Sequence, residues 1–456
     1  MHGCYGSACI LAPAHGFGKS LTWGIIACWK QVRADEGMTI GKRLRLLLIL
    51  LILPLILPAD SIPAHLVLDL QVSAVVSGHR FNLTLWEAGA LSAKVRDTIK
   101  RPASELDDVA ARELVEDYVA AARRIAELED RIARLLSEPE QSDAGSAILL
   151  LQHELDGLQK DQDARRPVVE AVLERQTAGV VAQEQLTVLG LVWPPLKFHF
   201  SDPPLYLVIS PRQRIALRMG LHLDAELSLP DRQEIEGSAD RRLSGYVSLV
   251  EDIGGFGAYP TMVIDRASLP WILDTIAHEW THNYLAFRPL GWHYFDNPDT
   301  VTLNETVASI VGEEIGARVM ETHYLQPSPP RPSISERRPQ TAAQPDLTTF
   351  DFSAEMRRTR LRVDTLLEAG LVAEAEAYME EQRLRFVGEG YELRKLNQAY
   401  FAFHGSYATA PSAVDPIGPK MTELRQASGS LREFLDTVSG FTAVEDLDAA
   451  LQAVGR

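Results

Sequence analysis

Ile276-Ala277-His278-Glu279-Trp280-Thr281-His282-Asn283-Tyr284-Leu285 is the stretch from which the rest of the chain can be read. On an α-helix, side chains four residues apart leave the same face, so His278 and His282 can aim their imidazoles at a single point. Glu279 lies one residue round from His278, beside that point, where a base acting on a metal-activated water is needed. The flanks predict a helix: Asp265 or Ser268 can cap it, Pro270 suits its first turn, and neither Gly nor Pro interrupts residues 271–287. Trp271, Ile272, Ile276, Trp280 and Leu285 give that helix apolar surface to bury. A His-Glu-x-x-His pattern turns up by accident in on the order of one chain in a hundred of this length, so the five residues need support from elsewhere.

A hydrolytic zinc site takes three protein ligands and leaves one position open for water. Downstream, Thr302-Leu303-Asn304-Glu305-Thr306-Val307-Ala308-Ser309 reads as the start of a second helix running to about Glu321. His278-Glu279-x-x-His282 followed by Asn304-Glu305-x-x-Ala308 resembles the gluzincin metallopeptidases, the group of the thermolysin-like proteases and zinc aminopeptidases. The resemblance implies Zn²⁺ held by His278, His282 and Glu305, with Glu279 as general base and a peptide or protein as substrate. It implies an α+β, zincin-like catalytic domain over 190–325, in which a mixed sheet precedes the zinc helix. A helical C-terminal subdomain over 351–456 would face the zinc, and its candidates to steady the oxyanion are Tyr400, His404 and Tyr407. His293, in the aromatic stretch Gly291-Trp292-His293-Tyr294-Phe295, could ligate in place of Glu305 but reads first as a substrate-cleft or packing residue. A metzincin site is excluded, because it needs a glycine and a third histidine where this chain has Leu285 and Arg288. The Gly-x-Met-Glu-Asn signature of zinc aminopeptidases is absent, whereas Ala308-Ser309 follows the aminopeptidase form of the second motif. Endo- and aminopeptidase cutting therefore both remain open.

The sheet strands are expected at 197–200, 205–210, 246–250 and 259–264. In gluzincins the strand before the zinc helix is the sheet edge that pairs with an extended substrate, so residues 257–262 are expected to border the cleft, the alternative being an ordinary core strand with a tight glycine turn at Gly254-Gly255-Phe256-Gly257. Before the sheet, residues 100–185 read as an antiparallel helical hairpin. Leu114, Tyr118, Ala121, Ile125, Leu128, Ile132 and Leu135 form a heptad seam, and a second helix runs through Leu151, Leu155 and Leu158 until Pro167 kinks or restarts it. Residues 326–350, rich in Pro, Ser, Arg and Gln, read as a flexible crossing. Arg394 and Lys395 read as solvated charges or as binders of a substrate carboxylate.

At 456 residues with 46% hydrophobic content, the chain can fill more than one domain. A net charge of −17 speaks against a nucleic-acid partner, which calls for a basic face. Gly18-Lys19-Ser20 is only the tail of a phosphate-binding loop. All three cysteines, Cys4, Cys9 and Cys28, precede Met38, where a basic lead and an apolar run at 46–57 resemble an export signal or short anchor. Translation is therefore expected to start at Met38, with 1–37 a misassigned extension and 38–64 a signal peptide or membrane anchor that residues 65–76 extend. A membrane-attached or exported metallopeptidase with its catalytic part outside the cytoplasm is the resulting expectation. The competing one is an inactive envelope scaffold with a vestigial peptidase domain and a partner-binding helical arm.

Overall fold

The computed structural model describes residues 64–100, 106–137, 144–325, 350–405 and 416–454, so the expectations for residues 1–63, the 326–349 crossing and Tyr407 fall outside it. The chain is α+β. Helices Ala64–Val75 (α1) and Leu83–Lys100 (α2) precede a helical pair, Asp108–Ser137 (α3) and Ala144–Gln183 (α4). The small hairpin of Thr187–Val188 (β1) and Leu191–Val192 (β2) leads into Phe198–Phe200 (β3), Leu205–Pro211 (β4) and Met219–Leu223 (β5). Helix Leu229–Arg242 (α5), strands Tyr246–Glu251 (β6), Gly255–Phe256 (β7) and Thr261–Val263 (β8), and helix Leu269–Leu285 (α6) follow. A short turn of helix, Pro289–Trp292 (α7), joins α6 to Pro298–His323 (α8). The C-terminal helices are Phe352–Glu368 (α9), Val372–Gly388 (α10), Gln398–His404 (α11), Ile417–Ala427 (α12), Leu431–Val438 (α13) and Val444–Val454 (α14).

The helical hairpin forms. Tyr118, Ile125, Leu128 and Ile132 of the expected seam are buried, the last three against Leu155, while at its start Val115 and Ala122 are buried in place of the expected Leu114 and Ala121. Pro167 does not end α4, which runs through it. Leu68 and Val72 of α1, with Val76 just after it, share a buried core with Leu205, Leu207, Ile209 and Ile235. No helix among the described residues is long and apolar enough to cross a membrane.

Instead of one mixed sheet there are two of three strands. The antiparallel sheet has the order β5-β4-β6, and the mixed sheet has the order β3-β8-β7, with β3 and β8 parallel. This overturns the expected cleft edge. β8 is the central strand, with Thr261 and Met262 buried, because Gly254-Gly255-Phe256, read as a turn, supplies a further strand on its outer side. The C-terminal helices also divide. α9 and α10 build a separate core with Phe401, whereas α12 to α14 join the core shared by α6 and α8.

Each sheet has one edge strand closed by carboxylates from a helix. Phe198 and Phe200 of β3 donate backbone N–H groups to Glu174 (3.3 Å) and Glu170 (2.8 Å) of α4. Ser248 and Val250 of β6 donate theirs to Asp240 (2.7 Å) and Glu236 (2.6 Å) of α5. The match is geometric: residues four apart on a helix are separated by about 6 Å along its axis, and residues two apart on a strand by about 6.7 Å. Buried carboxylates need countercharge. Lys94 reaches both Glu170 (2.6 Å) and Glu174 (2.7 Å), and Lys197 reaches Glu174 (2.5 Å). Burial alone would raise the Glu170 carboxyl, but His199 and Lys94 outweigh it and hold it below the usual carboxylate range. Arg394 forks onto Glu236 at 2.8 and 2.7 Å and Lys395 bonds Asp240 at 3.0 Å, so both cations are structural.

Replacing Glu236 by Ala strands the Arg394 guanidinium and the Val250 N–H together. The expected cost is about 3–5 kcal/mol of unfolding free energy, the range for breaking a buried ion pair, measured by denaturant titration. A loss under 1 kcal/mol would show that the β6 edge does not depend on its carboxylate cap.

Candidate metal centre

Helix α6 starts where expected, with Ser268 at its N-cap and Pro270 in its first turn, although the Ser268 side chain makes no capping bond. Asp265 serves elsewhere, accepting hydrogen bonds from Tyr118 (2.9 Å) and Gln162 (3.1 Å) and so tying the hairpin to the turn ahead of α6. Helix α8 begins at Pro298, earlier than expected, because Asn297 and Thr300 form a reciprocal cap. Asn304 and Glu305 therefore stand within the helix and not at its mouth. His278, Glu279, His282, Asn304 and Glu305 are all buried.

Three of these meet. His278 Nε2 and His282 Nε2 are 3.1 Å apart, and Glu305 Oε2 lies 3.6 Å from each. A triangle with sides of 3.1, 3.6 and 3.6 Å has a circumradius of about 2.0 Å, which matches the ~2.0–2.2 Å bonds of Zn²⁺ to imidazole nitrogen and carboxylate oxygen. Glu305 Oε2 is buried and accepts no hydrogen bond, so the oxygen facing the two imidazoles is the one left for a cation. Burial works to raise the Glu305 carboxyl, but His282 and His278 outweigh it and bring it down to about 2, which keeps it ionised. A buried His-His-carboxylate group of this size can hold a divalent metal ion.

Neighbouring groups orient the ligands. Asn304 Oδ1 lies 2.8 Å from His282 Nδ1 and accepts its proton, leaving Nε2 with its lone pair towards Glu305 and His278. The Tyr294 hydroxyl donates to Glu305 Oε1 at 2.5 Å. Glu279 is adjacent to this group without belonging to it, and a Cβ on Gly255 of β7 would overlap its carboxyl. The glycine run at 254–257 therefore lets a strand backbone lie against Glu279.

The remaining candidates make the following contacts. His293 is partly exposed and bonds Asp296 through Nδ1 at 2.6 Å, on the outer side of the loop whose next residue, Tyr294, points inward. His404 Nε2 bonds Glu251 Oε1 of β6 at 3.2 Å, and the Tyr400 ring lies 4.2 Å from the His404 ring. Helix α11 packs Ala399 and Phe403 against Tyr206, Val208 and Leu249, which ties Tyr400 and His404 to the antiparallel sheet. Reading by residue type misses Tyr294: in the aromatic stretch that contains it, only His293 is considered, as an alternative to Glu305. No protein-family model, curated protein or solved structure matches the chain.

If Asn304 sets the His282 tautomer, Asn304→Ala is expected to weaken divalent-ion binding by about 10- to 100-fold, the range for lost supporting hydrogen bonds to metal ligands. Asn304→Asp, which keeps an acceptor, should retain most of the affinity. Competition against a chelating dye measures both, and equal affinity in all three proteins would remove this role from Asn304.

Proposed function

We propose that this protein is a zinc-dependent metallopeptidase built on a zincin-like catalytic domain. The observation that carries the reading is the buried triangle of His278, His282 and Glu305, sized for one Zn²⁺, with Glu279 next to it on the same helix. The order of elements supports it as well: a mixed sheet leads into the helix bearing both histidines, and the following long helix bears the glutamate. When bound, Zn²⁺ supplies Lewis acidity to a water and to the scissile carbonyl.

The chain's own groups do the rest. His278, His282 and Glu305 form the seat, and Asn304 and Tyr294 hold two of its members in register. Glu279 accepts a proton from the attacking water and delivers it to the leaving amine, so the peptide bond is replaced by a carboxylate and a free amine. The buried surroundings of Glu279 keep bulk water from competing for that proton. Membrane attachment or export through the apolar run at 46–57 is part of the same proposal, and the substrate is then a peptide or protein outside the cytoplasm. Tyr400 and His404 are assigned no step here.

The deciding experiment uses the full chain with a mixed peptide library, zinc analysis and the Glu279→Gln variant. The wild type is expected to hold one zinc per chain and to cleave. Glu279→Gln is expected to keep the zinc and lose turnover by at least about 100-fold, as for removal of a general base. Zinc bound without cleavage in either protein would sink the peptidase reading and favour the inactive scaffold. New amino termini inside peptides, as opposed to stepwise loss of terminal residues, would separate endo- from aminopeptidase cutting.

A further inference from the structure

Tyr294 poses a question that the ligand set does not answer. A carboxylate can bind a cation through one oxygen or two, and the two modes leave different numbers of positions for water. The two Glu305 oxygens stand in different surroundings: Oε1 accepts the Tyr294 hydroxyl at 2.5 Å, and Oε2 faces both imidazole Nε2 atoms at 3.6 Å with no hydrogen bond. We propose that Tyr294 is a positioning residue that restricts Glu305 to one-oxygen ligation, which limits the ion to four donor atoms with the water included. This rests on the metal-centre reading above and extends it from the identity of the ligands to their number of donor atoms.

The hydroxyl is held where that job requires. Tyr294 is 2% exposed, and its ring meets His282 edge to face at 6.2 Å and Phe295 at 4.6 Å. Its carbonyl accepts from Thr300 Oγ1 at 3.3 Å, and Thr300 also belongs to the cap that starts α8. The donor and the carboxylate it restrains are thus attached to the same helix start, eleven residues apart. A short hydrogen bond to an ionised oxygen is stronger than one between neutral groups. Without the hydroxyl, Oε1 becomes a buried carboxylate oxygen lacking its donor, and the cation beside it is the nearest compensation. Two-oxygen ligation then follows, and with the water kept the ion has five donor atoms around it in place of four.

The test compares the full-length wild type with Tyr294→Phe, both stripped by chelator and reloaded with Co²⁺. Four-coordinate Co²⁺ absorbs several-fold more strongly in the visible than Co²⁺ with five or six ligands. An intense band is expected for the wild type and a several-fold weaker one for Tyr294→Phe, at matched cobalt content. A protein that merely lost packing would keep the band shape of whatever ion it retained. Identical band intensity and position in the two proteins would overturn the inference while leaving the metal centre intact. A wild type that takes up no cobalt would instead remove the metal centre, and this inference with it. Should Tyr294→Phe fail to fold, X-ray absorption on the zinc-loaded wild type still decides: four light-atom neighbours support one-oxygen ligation, and five with a paired carboxylate overturn it.

Discussion

The close approach of α6 and α8 is the constraint on which the site depends. Gly312 and Gly316, one helical turn apart on α8, lie directly against α6. A Cβ on Gly312 would overlap Asp274 and press on the His278 Cβ, and one on Gly316 would meet the Asp274 backbone. With hydrogen in place of those two side chains, the helix backbones approach closely. That brings the Glu305 carboxylate within 3.6 Å of both imidazoles, although Glu305 lies two turns before Gly312. Leu273, Ile276, Ala277, Leu303, Val307 and Val311 seal the same interface with buried apolar surface. Helix packing at this separation is set by side-chain volume. A bulkier residue at either glycine would move the carboxylate from its partners with all three ligands still present in the sequence.

The second organising device deals with a cost. Sheets this small have a high proportion of edge, and an edge strand presents backbone donors that are costly to bury unpaired. Here α4 and α5 each extend two carboxylates, one turn apart, onto alternate N–H groups of β3 and β6, with cations behind them. The arrangement makes strongly acidic helices useful in a chain of net charge −17. It also makes the two edges inaccessible to a further strand. Of the mixed sheet's two edges, only β7 is left without such a cap, and β7 is the strand whose Gly255 lies against Glu279.

What could be read from the residues follows the range of the interactions involved. His278 and His282 were legible because a fixed helical period alone aligns them, and the two helices because caps, periodicity and the absence of breakers all agree. The paired carboxylates of the edge caps were invisible, since Glu170 and Phe200, or Glu236 and Val250, are related only through the fold. The misplaced cleft edge came from carrying the resemblance onto 257–262: Gly255 opens a further strand outside β8 and makes room for the Glu279 side chain, a reason that only the packed structure supplies. Arg394 and Lys395 were judged by charge, and their ion pairs with α5 could not be inferred from their neighbours in sequence. Residue type likewise singles out His293 in the aromatic loop and passes over Tyr294, although within that loop the side chain turned inward is the tyrosine.

Two short segments carry every group assigned to the centre. Residues 274–282 of α6 bring both histidines and Glu279, and residues 294–305 bring Tyr294, Asn304 and Glu305. Within the second segment, the reciprocal cap of Asn297 and Thr300 fixes where α8 begins, and Thr300 also holds the Tyr294 carbonyl. The helix start thereby determines three things together: the rotation of Asn304 towards His282, the reach of Glu305, and the position of the hydroxyl that engages it. A one-residue shift of that start would turn Asn304 and Glu305 about 100° round the helix axis, away from the histidines. Two structurally ordinary capping residues are therefore as necessary to the ligand geometry as the ligands themselves, because they set the phase of the helix that presents them.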